Sequence, residues 1–234
     1  MKKFVSLLII LITIISTPVQ AYAQVPVQGL SHNDFRKIIK DSPIWLSPEM
    51  EKDTDQIKQF YDAWNKIPEN LRTALINAGI TVYLYSEQES RRYNNYSLGY
   101  SRDQSWRVYY DGRREKLSNT YSDIYCCNRR VDNTATMIHE LGHCIDYEYN
   151  GGGVVTNLDY NITHRKDWIA ICNEEKNAIS QLGDLSKHNV YNTEECWAEV
   201  FCYMILDYKK VRETCPKSCN YCLERLKEFV GYYK

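Results

Sequence analysis

The chain lacks a surplus of either charge: 29 Lys and Arg stand against 30 Asp and Glu, a net charge of −1. A protein that held nucleic acid or an anionic membrane by electrostatics would carry a basic excess, and none is present even before Lys2 and Lys3 are set aside. Apolar runs are equally scarce. One spans residues 4–15, and no later stretch is apolar enough to cross a bilayer. No repeat or low-complexity tract occurs. Phenylalanine is rare, with 5 residues against 20 tyrosines, which gives a polar, wet aromatic surface. Tyr93, Tyr96, Tyr100, Tyr109 and Tyr110 either line a groove or are ordinary half-buried strand residues.

What is present begins with an export address. Lys2 and Lys3 form a positive head, the apolar run is shorter than the roughly 20 residues of a membrane span, and Ala21-Tyr22-Ala23 fits the small-x-small cleavage rule. Residues 1–23 therefore read as a signal peptide, with a mature chain starting at Gln24, secreted to the extracellular space and not inserted in the membrane. All nine cysteines lie beyond it: Cys126, Cys127, Cys144, Cys172, Cys196, Cys202, Cys215, Cys219 and Cys222. Export makes disulfides plausible, and an odd count leaves at least one sulfur outside an internal pair. Cys215, Cys219 and Cys222 have a spacing open to a second metal site, but a disulfide stapling the C-terminal segment is the preferred reading.

Periodicity gives the order of elements. Residues 24–53 read as an arm, with a short helix at 33–40. Residues 53–67 and 69–78 carry helical spacing broken by Pro68, and 81–85 reads as a strand. Residues 87–96 are polar and loop-like. Further strands are expected at 98–101, 106–110 and 123–127, with Asp111-Gly112 as a turn signal. Helices are expected at 133–149, started by Asp132 or Asn133 and stopped by Gly151-Gly152-Gly153, then at 167–182, 193–208 and 223–232. Helices, a small sheet, then helices make an α+β chain, with a sheet-bearing N-terminal lobe and a helical C-terminal lobe.

The chemistry sits in His139-Glu140-Leu141-Gly142-His143, flanked by Ala135, Met137, Ile138 and Ile145. Residues four apart share a helix face, so both histidines reach one zinc ion, and Glu140 lies where it can take a proton from a water. The pattern alone is weak and needs a third ligand. Asp146 and Tyr149 stand where the three-histidine protease class needs Gly and His, which removes that class. His32, His164 and His188 have no motif around them. Glu195 and Glu199 are four apart in 193–208, and Trp197, Val200, Phe201 and Met204 can pack that helix down. Two inward glutamates are costly unless a cation and a ligand histidine compensate them. Glu195 is assigned as third ligand, and Glu199 as the acceptor behind a ligand histidine. The plain alternative is that Glu195 merely completes a capping box with Asn192. A rival source is Glu174 or Glu175, which lack a second acid one turn on, since Ala178 and Ile179 follow.

Taken together, residues 138–146, 167–175, 195–201 and 215–217 resemble the lethal factor-like zinc metalloprotease domain family, which includes the anthrax toxin protease domain and Pro-Pro endopeptidases. The resemblance runs from about residue 54 through most of the chain. It implies a two-lobed zincin fold of the gluzincin type over 54–234, with lobes at about 54–150 and 151–234. It implies one zinc ion on His139, His143 and Glu195, Glu140 as base, and Glu199 behind the ligands. The family also has a tyrosine seven residues before the ligand glutamate, which stabilises the oxyanion. Here that position is His188, and the nearest tyrosine is Tyr191, so either residue can fill the role.

The expected function is a secreted, monomeric zinc metalloendopeptidase acting on a peptide or protein, with no nucleic-acid partner. Glu140 is the general base, and a sheet edge near 98–101 pairs with an extended substrate. The alternative is a secreted, non-catalytic, toxin-like binding module that keeps a structural zinc.

Overall fold

The computed structural model describes residues 42–86, 99–103, 106–108, 114–116, 122–128, 133–149, 161–183, 190 and 192–233. The expected signal peptide, the helix at 33–40, the Asp111-Gly112 turn and the triple glycine lie outside these residues.

Two helices lead the fold, α1 (Thr54–Lys66) and α2 (Glu69–Asn77). Asp53 caps α1 by accepting from Gln56 N at 3.1 Å, and Phe60, Ala63 and Trp64 form its buried stripe. Gly79, with φ of 79°, closes the turn that follows α2, a conformation that a side chain would strain.

The strands are β1 (Ile44–Leu46), β2 (Thr81–Ser86), β3 (Gly99–Asp103), β4 (Trp106–Val108), β5 (Arg114–Lys116) and β6 (Ser122–Asn128). Four of them make a sheet of order β1-β2-β6-β3, and β4 pairs with β5 as a separate ribbon. The β1–β2 and β2–β6 pairs are parallel, and β3 runs antiparallel to β6 at the edge. Val82 pairs with Ile44 on one side and Ile124 on the other, placing β2 inside the sheet. Ile44, Leu46, Val82 and Leu84 are fully buried, and as alternate residues in register they line one face of the sheet against the core. Sequence periodicity missed β1, which was read as part of an arm, and the three-residue β5. Both are too short to show a period, and pairing is what defines them.

Five more helices follow: α3 (Asn133–Glu148), α4 (Lys166–Ile179), α5 (Thr193–Leu206), α6 (Tyr208–Thr214) and α7 (Pro216–Tyr232). The fold is α+β, as the element order implied. The α3 helix lies against β3 and β6 on one side and α5 on the other. It is therefore buried nearly all round, with Met137, Ile138, Leu141, Cys144 and Ile145 fully buried. Sequence reading placed the last helix at 223–232, but α7 starts seven residues earlier, and α6 was not anticipated. Asp207 accepts from Lys210 N to cap α6, and Pro216 stands at the first turn of α7. Among the described residues, no helix is long and apolar enough to cross a membrane.

The expected C-terminal staple is not formed in this structure. Cys215, just before α7, and Cys219 and Cys222 on its inner face are separate, buried thiols. Nor do these three close around a metal: the one group of metal-ligating side chains drawn together among the described residues lies elsewhere. What ties the start of α7 down is Glu175 of α4, which accepts from Lys217 N at 3.1 Å and Ser218 N at 2.8 Å, while Glu174 pairs with the Lys217 ammonium. A carboxylate on the exposed amides of a helix start meets both its unpaired donors and its dipole.

Candidate metal centre

His139 and His143 occupy successive turns of α3, and their rings meet edge to face with centroids 4.9 Å apart. Helix α5 crosses over them because its buried residues Trp197, Ala198 and Phe201 pack on α3. Two contacts set how closely. Trp197 Nε1 donates to the Gly142 carbonyl at 2.8 Å, and a Cβ on Gly142 would stand only 2.9 Å from Ala198 Cα. The glycine inside the motif is therefore what lets the two helix backbones approach. At the start of α5, Asn192 accepts from Glu195 N at 2.8 Å. The cap and the ligand reading of Glu195 are compatible, since the cap uses its backbone and leaves its carboxylate for the histidines.

That carboxylate completes a three-residue group. Glu195 Oε2 lies 3.1 Å from His139 Nε2, Glu195 Oε1 lies 3.6 Å from His143 Nε2, and the two Nε2 atoms are 3.2 Å apart. Ligands about 2.0–2.1 Å from a tetrahedral ion stand roughly 3.3 Å from one another, so the donor spacing fits one such ion. Two imidazole nitrogens and a carboxylate oxygen are also a donor set that divalent zinc accepts. The three residues could thus hold a metal ion.

The electrostatics agree with that fit. Burial by itself would lower the pKa of His139, but the carboxylates of Glu195 and Glu199, with the charge of Glu140, outweigh it and push it up. Burial, followed by the neighbouring His139, pulls His143 down. Two adjacent imidazoles are thus driven in opposite directions around a concentration of carboxylate charge, which a dication would neutralise. Glu199, 2% exposed, places Oε1 at 3.1 Å from His139 Nδ1. The contact is close, yet Nδ1 has no partner in full hydrogen-bond geometry. Distance, not alignment, makes Glu199 the electrostatic support of this histidine. Glu140 is buried to 8% exposure, like its neighbour His139.

Of the residues singled out from sequence, His139, His143, Glu195 and Glu199 come together, with Glu140 beside them. His188 and Tyr191 lie outside the described residues. The rival ligands Glu174 and Glu175 are held on Lys217 and Ser218 instead. Sequence reasoning missed the second use of Asp146. This carboxylate is buried and accepts from Thr163 N at 3.0 Å and Thr163 Oγ1 at 2.7 Å, clamping the 162–164 turn to α3. On that turn His164 Nε2 faces Glu194 Oε1 at 3.6 Å, and beyond it Trp168 Nε1 donates to the Thr193 carbonyl at 2.9 Å. Both contacts hold the start of α5, where Glu195 sits. An acidic residue one turn after His143 in an apolar helix was the available signal.

The family model described as anthrax toxin lethal factor, N- and C-terminal domain, matches residues 30–224 of the chain. No curated protein matches it.

Proposed function

Because the chain belongs to the anthrax toxin lethal factor family, we propose that it is a secreted zinc endopeptidase with a two-lobed, gluzincin-type fold. The observation that carries this reading is the convergence of His139, His143 and Glu195 from two helices, at the mutual spacing of ligands around one small ion. Residues 54–234 would make up the protease domain, with lobes at about 54–150 and 151–234, acting as a monomer on a peptide or protein.

A bound zinc ion would supply a water of lowered pKa and a charge that polarises the scissile carbonyl. The chain's own residues do the rest. Glu140, buried beside His139, takes the proton from the attacking water and returns it to the leaving amine. Glu199 carries negative charge against His139 and holds its ring in place. His188 or Tyr191 donates to the developing oxyanion. Strand β3 is the edge strand of the sheet among the described residues and packs against α3, so an extended peptide could add to it beside the ligands.

The test is Glu140→Ala. It should retain one zinc per chain, measured by metal analysis, and lose peptide cleavage by about a hundredfold or more. A variant that cuts at the normal rate would remove Glu140 from the mechanism.

A further inference from the structure

The cysteines among the described residues do different things. Cys202 Sγ donates to the Ala135 carbonyl at 3.3 Å, and Cys219 shares a hydrogen bond with the Tyr208 hydroxyl. Cys172 and Cys196, free thiols in this structure like the C-terminal three, instead meet each other: their side chains lie within hydrogen-bonding reach across the α4–α5 interface. Both side chains are buried, at 2% and 0% exposure.

The frame around this pair fixes its register. Cys172 lies one turn after Trp168 on α4, and Cys196 directly precedes Trp197 on α5. The two tryptophans pack edge to face with centroids 5.7 Å apart, and Trp168 Nε1 is tied to the Thr193 carbonyl at 2.9 Å. Two helices pinned within a turn of each sulfur bring the thiols together and keep them there. A buried thiol usually serves as a small apolar group, and either cysteine alone would need no other explanation. Two that face each other from separate helices, in a chain whose N-terminus reads as an export signal, have a further use.

We propose that Cys172 and Cys196 form a disulfide that locks α4 to α5 next to the ligand Glu195. Because both sulfurs are buried once the helices dock, the bond forms during folding. One cysteine thiolate attacks the sulfur–sulfur bond of a low-molecular-weight disulfide and expels one small thiolate, leaving a mixed disulfide. The second cysteine sulfur then attacks the protein-bound sulfur and expels the other small thiolate. Each cysteine sulfur loses one electron, and the two protons end on the two small thiols released. This cross-link closes a loop from 172 to 196 and holds Glu195, one residue away, against α3. It does not depend on the proposed proteolysis.

The experiment refolds the full chain in a buffer of low-molecular-weight disulfide and thiol, blocks free thiols under denaturing conditions, and digests with trypsin without reduction. Tandem mass spectrometry should find residues 167–176 joined to residues 188–209, with fragmentation placing the bond on Cys196 and not Cys202. Reductant should lower the melting temperature of the wild type by roughly 7–14 °C, for a loop of this length in a chain of this size, and a Cys172→Ala variant should not show that drop. Recovery of both cysteines as blocked free thiols, or of Cys196 bonded to any other partner, would overturn the assignment.

Discussion

Replacing Gly142 by alanine tests whether the approach of α3 to α5 builds the site. In an isolated helix the change would stabilise by about 1 kcal/mol, because glycine is the poorer helix former. Here the new Cβ would lie 2.9 Å from Ala198 Cα, 3.2 Å from Phe201 Cδ1 and 3.4 Å from Ala198 Cβ. The nearest of these is backbone, which cannot rotate away, so the helices must separate by several tenths of an ångström. Overpacking of this kind costs about 1–3 kcal/mol. The displacement also lengthens the 2.8 Å bond from Trp197 Nε1 to the Gly142 carbonyl, and a buried group left unpaired costs a further 1–3 kcal/mol or so. The losses outweigh the propensity gain, and the net expectation is destabilisation of about 1–5 kcal/mol, seen as an earlier urea midpoint. The same movement carries Glu195 away from His139 and His143, so zinc affinity should fall by about tenfold or more. Equilibrium unfolding with and without zinc, together with competitive zinc titration, reads both effects. A variant as stable as the wild type with unchanged zinc affinity would refute the claim that this glycine sets the helix spacing.

Other perturbations separate ligand from scaffold. Glu195→Gln should lose zinc while keeping its fold. Glu175→Ala should keep zinc but lose about 1–2 kcal/mol of stability, because its carboxylate holds the start of α7. Zinc retained in the first and lost in the second would reverse the assignment. Burial pushes the Asp146 carboxyl up to about 6 from an ordinary 3.8. The native state therefore binds this proton more tightly than the unfolded chain does. Its stabilising contribution is full below about pH 4 and is lost as pH rises through about 6, a change of up to about 3 kcal/mol. The difference in unfolding free energy between wild type and Asp146→Asn should shift by that amount from pH 4 to 7, the wild type losing ground. A difference that stays flat with pH would show that Asp146 is not the titrating group.

The candidate metal centre was legible because its information is local. His139 and His143 are fixed by helical periodicity, and Glu195 and Glu199 repeat the same spacing beside a run of apolar residues that had to face inward. The interface between them was less visible. Nothing in the sequence says that Gly142 meets Ala198, or that Trp197 donates to the Gly142 carbonyl, since both depend on how two distant helices cross. The same holds for β1, which exists as a strand because Ile44 and Leu46 pair with Val82 and Leu84. Cysteine spacing pointed the wrong way for a different reason. Cys215, just before α7, and Cys219 and Cys222 on its inner face all face the core, whereas the thiols within reach of each other, Cys172 and Cys196, come from separate helices. Glu174 and Glu175 offered a rival ligand because sequence shows an acid without showing its partner, here the Lys217 ammonium for Glu174 and the start of α7 for Glu175.

Incubation of the zinc-loaded chain with a diverse peptide library, read by mass spectrometry with and without a zinc chelator, tests the central claim most directly. Cleavage at defined bonds that stops when the chelator is added and returns with zinc is the result expected of the His139–His143–Glu195 centre with Glu140 as its base. Zinc bound at one ion per chain with no peptide cut would contradict it and make this a binding module with a structural metal.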